Sequence, residues 1–272
     1  MTEPNWAELW RELTLRVRRP EKECRNGSGR TPEERAARFD AAVKRKGTER
    51  PDTLLDFVLA KLRPENTVLD IGAGTGHFAI PFARAARSVT AVEPSPDMAA
   101  LLRKNAAAEG LTNIRLVDCG WEDAQVQPHD VAFCSHAMYS SLDLVEFVRK
   151  MESTARVCFL VMRMPAHDGV MRQLSARILG QPYDSPNFWV GYNALYNMGI
   201  YADVVMEPFM RCWSDENLEE ALKRARRHLR LEDTSHDEWI RQTLARRLTY
   251  KDGRYHWPDG MRSAMMWWQR SH

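Results

Sequence analysis

The chain has 272 residues, of which 44% are apolar and 28% charged, with a formal net charge of +2. This is enough for one sizeable core with an added lid or subdomain, and so balanced a charge gives no general drive toward nucleic acid or an anionic membrane. No apolar run reaches the roughly 18 residues of a membrane span, and the charged start MTEPNWAELWRELTLRVRRP lacks the apolar stretch and cleavage site of a signal peptide.

Trp6, Leu9, Trp10, Leu13 and Leu15 recur at near-helical spacing and predict a first helix. CRNGSGR, residues 24–30, is loop chemistry. Thr31-Pro32-Glu33-Glu34 then opens a helix with a cap, a first-position proline and first-turn acids, and the pattern runs to about residue 46. A third helix is expected over 51 to about 62. We expect residues 1–50 to form a helical lid and 51–272 the main domain.

From Asn66 the pattern changes. VLDIG (68–72), SVTAVEP (88–94), NIRLVDC (113–119), HDVAFCSHAM (129–138) and RVCFLVMRM (156–164) read as strands. Helical segments lie between them at 77–86, 96–110 and 142–154, apart from the stretch 120–128 that joins the third strand to the fourth. This alternation predicts a doubly wound α/β fold with a mostly parallel sheet, and the all-apolar strands predict cover on both sheet faces. Beyond Pro165 we expect helices at 169–179 and 188–199, a strand at 201–209, and further helices near 215–230 and 236–248. The insertion at about 166–200 follows the fifth strand, and extra helices fill about 214–248. The end is expected to form an antiparallel hairpin around Trp257-Pro258-Asp259-Gly260.

The loop Asp70-Ile71-Gly72-Ala73-Gly74-Thr75-Gly76 joins a strand to a helix. Glycines there let backbone approach a ligand, and the helix that follows aims N–H groups at it. NAD, FAD and S-adenosylmethionine all use such a site. Here the pattern is GxGxG, and the last glycine of the dinucleotide pattern is replaced by His77.

VLDIGAGTGHF resembles the first motif of class I S-adenosylmethionine-dependent methyltransferases. VTAVEPSPDM places Glu93 at the end of the second strand, 17 residues after Gly76, in register with that family's ribose-binding acid. A carboxylate suits a vicinal diol because it offers two acceptor oxygens. The resemblance covers about 50–165. It implies that Gly72, Ala73, Gly74 and Gly76 contact the methionine part and ribose. Pro94 and Met98 would flank the adenosine. Asp70 would orient the loop or the methionine amino group. The product would be S-adenosylhomocysteine.

The chain also departs from that family. Gly120 stands where the adenine-binding aspartate is usual, so Gly120, Trp121 and Glu122 are expected beside adenine, with ordinary core packing the other reading of Trp121. The fourth strand ends in Cys134-Ser135-His136-Ala137-Met138-Tyr139 and lacks the Asn/Asp-Pro-Pro-Tyr/Phe of base-amine methylation. Ser135 and His136 are expected at the cofactor. His136 and Tyr139 are the candidate catalytic residues, with His136 either a general base or only a hydrogen-bonding neighbour of the methionine part or a loop. Arg163 could bind an anionic group or form a surface ion pair. Trp189, Tyr192, Tyr196 and Asn197 belong either to the acceptor pocket or to the core.

The expected activity is in-line methyl transfer to a small-molecule acceptor. RNA or protein methylation is the alternative, resting on Arg224, Arg226, Arg227, Arg230, Arg241, Arg246 and Arg247, which read otherwise as a solvated helix face. A non-catalytic S-adenosylmethionine-binding protein is the third reading. Neither a metal, a membrane nor a nucleic-acid partner is expected, and the chain would be a monomer or homodimer. Cys24, Cys119, Cys134, Cys158 and Cys212 form no CxxC pair and suit a reducing cytoplasm.

Overall fold

A computed structural model of the chain describes residues 4–18, 31–49 and 51–270. The expected loop at 24–30 lies outside the described residues. Helix α1 (Trp6–Val17) starts at Asn5, whose side chain accepts the Glu8 N–H. Helix α2 (Pro32–Glu49) opens with a capping box: Thr31 Oγ1 accepts from Glu34 N, and the Glu34 carboxylate accepts from Thr31 N. Helix α3 (Thr53–Leu59) is capped by Asp52.

The α/β part follows as β1 (Thr67–Ile71), α4 (Ala79–Ala85), β2 (Ser88–Val92), α5 (Pro96–Ala108), β3 (Ile114–Val117), β4 (His129–Ser135), α6 (Leu144–Thr154) and β5 (Ala155–Pro165). These five strands pair in parallel. After them come α7 (Val170–Ile178), α8 (Phe188–Asn197), β6 (Asp203–Met206), β7 (Arg211–Asp215), α9 (Leu218–Leu229), α10 (Asp237–Arg247), β8 (Thr249–Lys251) and β9 (Arg254–Gln269). The sheet order is β3-β2-β1-β4-β5-β9-β6, with β9 antiparallel to both neighbours and β7 and β8 paired to its first half.

Alternation along the strands sends Leu69, Ile71, Ala132, Cys134, Leu160 and Met162 to one face, under α1, α6 and α8. Val68, Val131, Phe133, Phe159 and Val161 go to the other, under α3 and α4. A third apolar cluster joins α7, α9, α10 and Trp257. Trp10 ties α1 to the first face: its ring is fully buried and its Nε1–H donates to the Ser141 carbonyl at 3.0 Å. Trp10→Phe removes that bond and part of the ring volume, and should lower stability by about 1–2 kcal/mol in urea unfolding.

The final hairpin turns elsewhere than expected. Asp252 and Gly253, with φ of 52° and 76°, join β8 to β9. Two consecutive positive φ values match the Asp-Gly turn that a two-residue hairpin favours. Pro258 lies inside β9, where the pairing to β7 shifts register and asks no N–H of a proline. The strands β7 and β8 were not expected, because RCWSD and TYK are short and polar.

Candidate active site

The carboxyl end of β1 leads into the glycine loop. Gly72, Gly74 and Gly76 have φ of 74°, 57° and 97°, all in the left-handed region. The N–H groups of Gly72 and Ala73 donate to the Val92 carbonyl at 2.8 and 3.1 Å, which fastens the loop to the end of β2. A Cβ on Gly72 would lie 2.2 Å from Ala137 Cβ, and one on Gly76 2.9 Å from Ile80 Cδ1. Phe39 of α2 stands 3.6 Å from the corresponding point on Gly74. Asn105 of α5 bridges Asp40 of α2 to the Thr75 carbonyl at 2.9 Å each, so α2 is moored beside the loop. The Asp40 carboxyl is raised by burial but held below its ordinary value overall by bonds from Lys44, Thr75 and Asn105.

Two buried carboxylates flank this loop. Glu93 accepts the Gly74 N–H on Oε2 and the Ser95 N–H on Oε1, both at 2.8 Å. Each oxygen keeps a further acceptor position, in the pattern a ribose diol requires. Asp70 is buried, and its Oδ2 has no partner among the described residues. Burial first, and the Glu93 charge second, push its carboxyl up to about 8, with the Ala79 N–H acting the other way. An unsatisfied buried carboxyl beside a second carboxylate fits a cationic ligand group, and the α-ammonium of S-adenosylmethionine is one.

On the side where adenine is expected, Ser95 caps α5 and places Met98, half-buried, in its first turn, with Pro94 exposed before it. Trp121 is buried: its Nε1–H donates to the Phe147 carbonyl at 3.2 Å, and Lys150 lies 4.7 Å over its ring. The core reading of this side chain is therefore the one the structure favours. Glu122 and Asp123 carboxylates lie 3.5 and 4.0 Å from where a Gly120 side chain would begin. Asp118 is taken up by a two-pronged pair with Arg103, at 2.9 and 2.6 Å.

Beyond Ser135, at the end of β4, the structure brings His136, Tyr139 and Arg163 together. His136 is exposed and has φ 58°, rare for a residue with a side chain. Its Nδ1 lies 3.3 Å from the Tyr139 hydroxyl and its Nε2 3.3 Å from Ser263 Oγ. The Tyr139 oxygen accepts the Arg163 N–H at 2.5 Å, the Arg163 guanidinium lies 4.2 Å over the ring, and Trp10 stacks against it with centroids 6.1 Å apart. Burial raises the Tyr139 phenol against the pull of Arg163, so it remains a neutral O–H. Ser263 was not anticipated: nothing in its local sequence signals that β9 would insert beside β5.

Helix α8 divides the remaining candidates. Trp189 stands at its start and donates to the Pro165 carbonyl at 3.2 Å, beside the carboxyl end of β5. Tyr192 packs on Phe188, with centroids 5.6 Å apart. Tyr196 and Asn197 are exposed, and Tyr196 meets Tyr201 edge-on. The chain after α8 enters β6 opposite Trp267, which pairs with Phe159 in the first half of β5. Tyr196 and Asn197 are thus at the far end of the sheet from the glycine loop. A cavity missed by sequence reasoning opens after Pro165, lined by Arg163, Arg172, Asp184, Arg211, His228 and Trp257 among others. Its walls come from five separate segments, and no local motif announces them.

Comparison with known proteins agrees with this geometry. Residues 68–158 match the family model described as a methyltransferase domain. The chain is 35% identical over 68 residues to a probable ribosomal RNA small subunit methyltransferase A of Methanosphaera stadtmanae, covering 24% of this chain and 25% of that protein. It is 44% identical over 52 residues to the 23S rRNA (uracil(1939)-C(5))-methyltransferase RlmD of Photobacterium angustum, covering 19% of this chain and 24% of that one. The chain thus spans a quarter or less of the length of these curated relatives. The crystal structure of the YcgJ protein from Bacillus subtilis superposes with a TM-score of 0.53 at 17% identity, over 80% of this chain and 98% of that one, and shares the fold. Residues 68–158 thus carry the match to a methyltransferase domain, on a fold that the chain shares with the YcgJ structure.

Proposed function

We propose that the whole chain is an enzyme that binds S-adenosylmethionine between the glycine loop and Glu93 and transfers its methyl group to a small-molecule acceptor. The observation that carries this reading is the Asp70–Glu93 pair: one carboxylate pre-set by two backbone N–H groups, the other buried with an oxygen unsatisfied. S-adenosylmethionine supplies an electrophilic methyl on a sulfonium, and the residues here hold and align the reactants. Glu93 would hold the ribose and Asp70 the methionine ammonium. Arg163, Tyr139 and His136 would face the acceptor, with the exposed imidazole of His136 taking up an acceptor proton where one must leave. Helix α2, moored beside Gly74, would form part of the cover over the cofactor.

Pairing of four arginines of α9 and α10 supports a small acceptor over RNA. Arg224, Arg226, Arg241 and Arg247 pair with Asp215, Asp237, Glu219 and Asp168. The shared stretch with the ribosomal RNA methyltransferases is short, 68 and 52 residues. Among the described residues no helix is long and apolar enough to cross a membrane, and no cluster of His, Cys, Asp and Glu could hold a metal. Free thiols at Cys119, Cys134, Cys158 and Cys212 support a reducing, cytoplasmic setting.

Glu93→Gln places an amide N–H₂ against backbone donors and weakens ribose binding. Isothermal titration with S-adenosylhomocysteine should show affinity lowered about 10- to 100-fold. Wild-type affinity in that variant would sink the reading. Mass spectrometry of the product formed from a metabolite extract would name the acceptor.

A further inference from the structure

Where β5 ends at Pro165, α7, the 182–187 loop, α9 and the β7–β9 pair enclose the cavity described above. Three guanidinium groups line it: Arg163, Arg172 and Arg211. Unlike Arg224, Arg226, Arg241 and Arg247 of α9 and α10, none of the three forms an ion pair among the described residues. Arg163 and Arg172 lie instead over aromatic rings, 4.2 Å from Tyr139 and 5.1 Å from Tyr183. Among the described residues the lining has one carboxylate, Asp184, and it is already engaged. Its Oδ2 is 2.6 Å from His228 Nε2, and its Oδ1 accepts from Ser185 Oγ at 3.0 Å. Burial raises the Asp184 carboxyl, yet the His228 and Ser185 bonds hold it below its ordinary value.

The walls are apolar and fixed. Trp257 is buried, its Nε1–H donating to Asp215 Oδ2 at 2.7 Å, and Arg224 grips the same carboxylate at 2.6 and 3.0 Å. Trp213 meets both Trp257 and His228 edge-on. Register sets the span of the site. Pro165 pairs with Met261, and Met261 with Arg211. Arg211 is thus two strands, about 10 Å, from the end of β5.

We propose that this cavity takes the methyl acceptor, and that the acceptor carries an anionic group, a carboxylate or a phosphate ester, on a planar apolar body. The anion lies among Arg172 and Arg211, the body against Tyr183, Trp213 and Trp257, and the end to be methylated at Arg163 and Tyr139. Excess guanidinium groups in a partly closed, aromatic-walled space favour such a ligand, since arginine offers forked donors to a planar anion. The inference rests on the methyl-transfer reading for the ligand's role as acceptor; the anion site itself does not.

The test uses the full chain and isothermal titration with benzoate, phenyl phosphate and neutral benzyl alcohol. The anions should bind at least about tenfold more tightly than the alcohol, and the tighter of the two names the anion class. Arg172→Gln and Arg211→Gln should each weaken the anion about tenfold. Arg211→Lys should recover part of that loss, and Arg227→Gln, exposed on α9, should change nothing. S-adenosylhomocysteine affinity should stay at the wild-type level in all four variants. Equal binding of the alcohol, or anion binding indifferent to Arg172 and Arg211, overturns the proposal while leaving the cofactor reading intact. Arginine-dependent anion binding by a chain that fails to bind S-adenosylhomocysteine upholds the site and refutes methyl transfer.

Discussion

Gly72→Ala should abolish measurable S-adenosylhomocysteine binding and lower stability by about 2–5 kcal/mol. Two effects add at this position. The backbone holds φ at 74°, where an alanine is strained by about 1–2 kcal/mol. The new methyl would also sit 2.2 Å from the Ala137 methyl, an overlap that rotamer change cannot relieve because neither group has one. Relief must come from moving the glycine loop or the 136–139 turn. The first carries the Gly74 N–H that sets Glu93, and the second carries His136 and Tyr139. Gly74→Ala is the control. Its φ of 57° brings the backbone cost, but the nearest atom is Phe39 Cε1 at an ordinary 3.6 Å. It should lose only about 1–2 kcal/mol and keep more of its cofactor affinity than Gly72→Ala. Urea unfolding and titration on both variants check the pair, and equal losses would refute the contact with Ala137.

The parallel core and cofactor loop were legible because their signals are local. VLDIG and SVTAV are apolar runs that end where the loop and Glu93 must begin, and both became strands within a residue or two of expectation. The acceptor side was not legible, because it is assembled across the chain. Ser263 reaches His136 only because β9 inserts antiparallel beside β5, 127 residues away in sequence. Arg172, Asp184, Arg211 and His228 come from four segments, each ordinary by itself. Tyr192 and Tyr196 show the limit of reading one helix face. Their four-residue spacing places both on one helix face, yet α8 runs away from β5's carboxyl end, so the second tyrosine lands at the far end of the sheet. Trp257-Pro258-Asp259-Gly260 looked like a turn and was absorbed by an irregularity in β9, while the Asp252-Gly253 pair made the real one.

Asp70→Asn should make the free protein more stable at pH 8 by about 1–3 kcal/mol while weakening cofactor binding. The folded carboxyl titrates near 8, against 3.8 for a free aspartate. Between those values the folded chain holds a proton that the unfolded chain has released, so wild-type stability declines as pH rises from about 4 to about 8 and stays low above that. The amide has no such titration. The gain in the variant should therefore be absent near pH 4 and complete by pH 8, as unfolding curves across that range would record. A ligand ammonium beside Asp70 favours its ionised form, so binding expels the proton. Wild-type affinity for S-adenosylhomocysteine should then rise from pH 6 to pH 8, by at most about tenfold per pH unit. The ligand's own amine titrates in both proteins, and the difference between the two pH profiles isolates Asp70. Identical profiles would mean that the ammonium is held elsewhere; identical stabilities at pH 8 would mean that the buried oxygen is not the liability its missing partner implies.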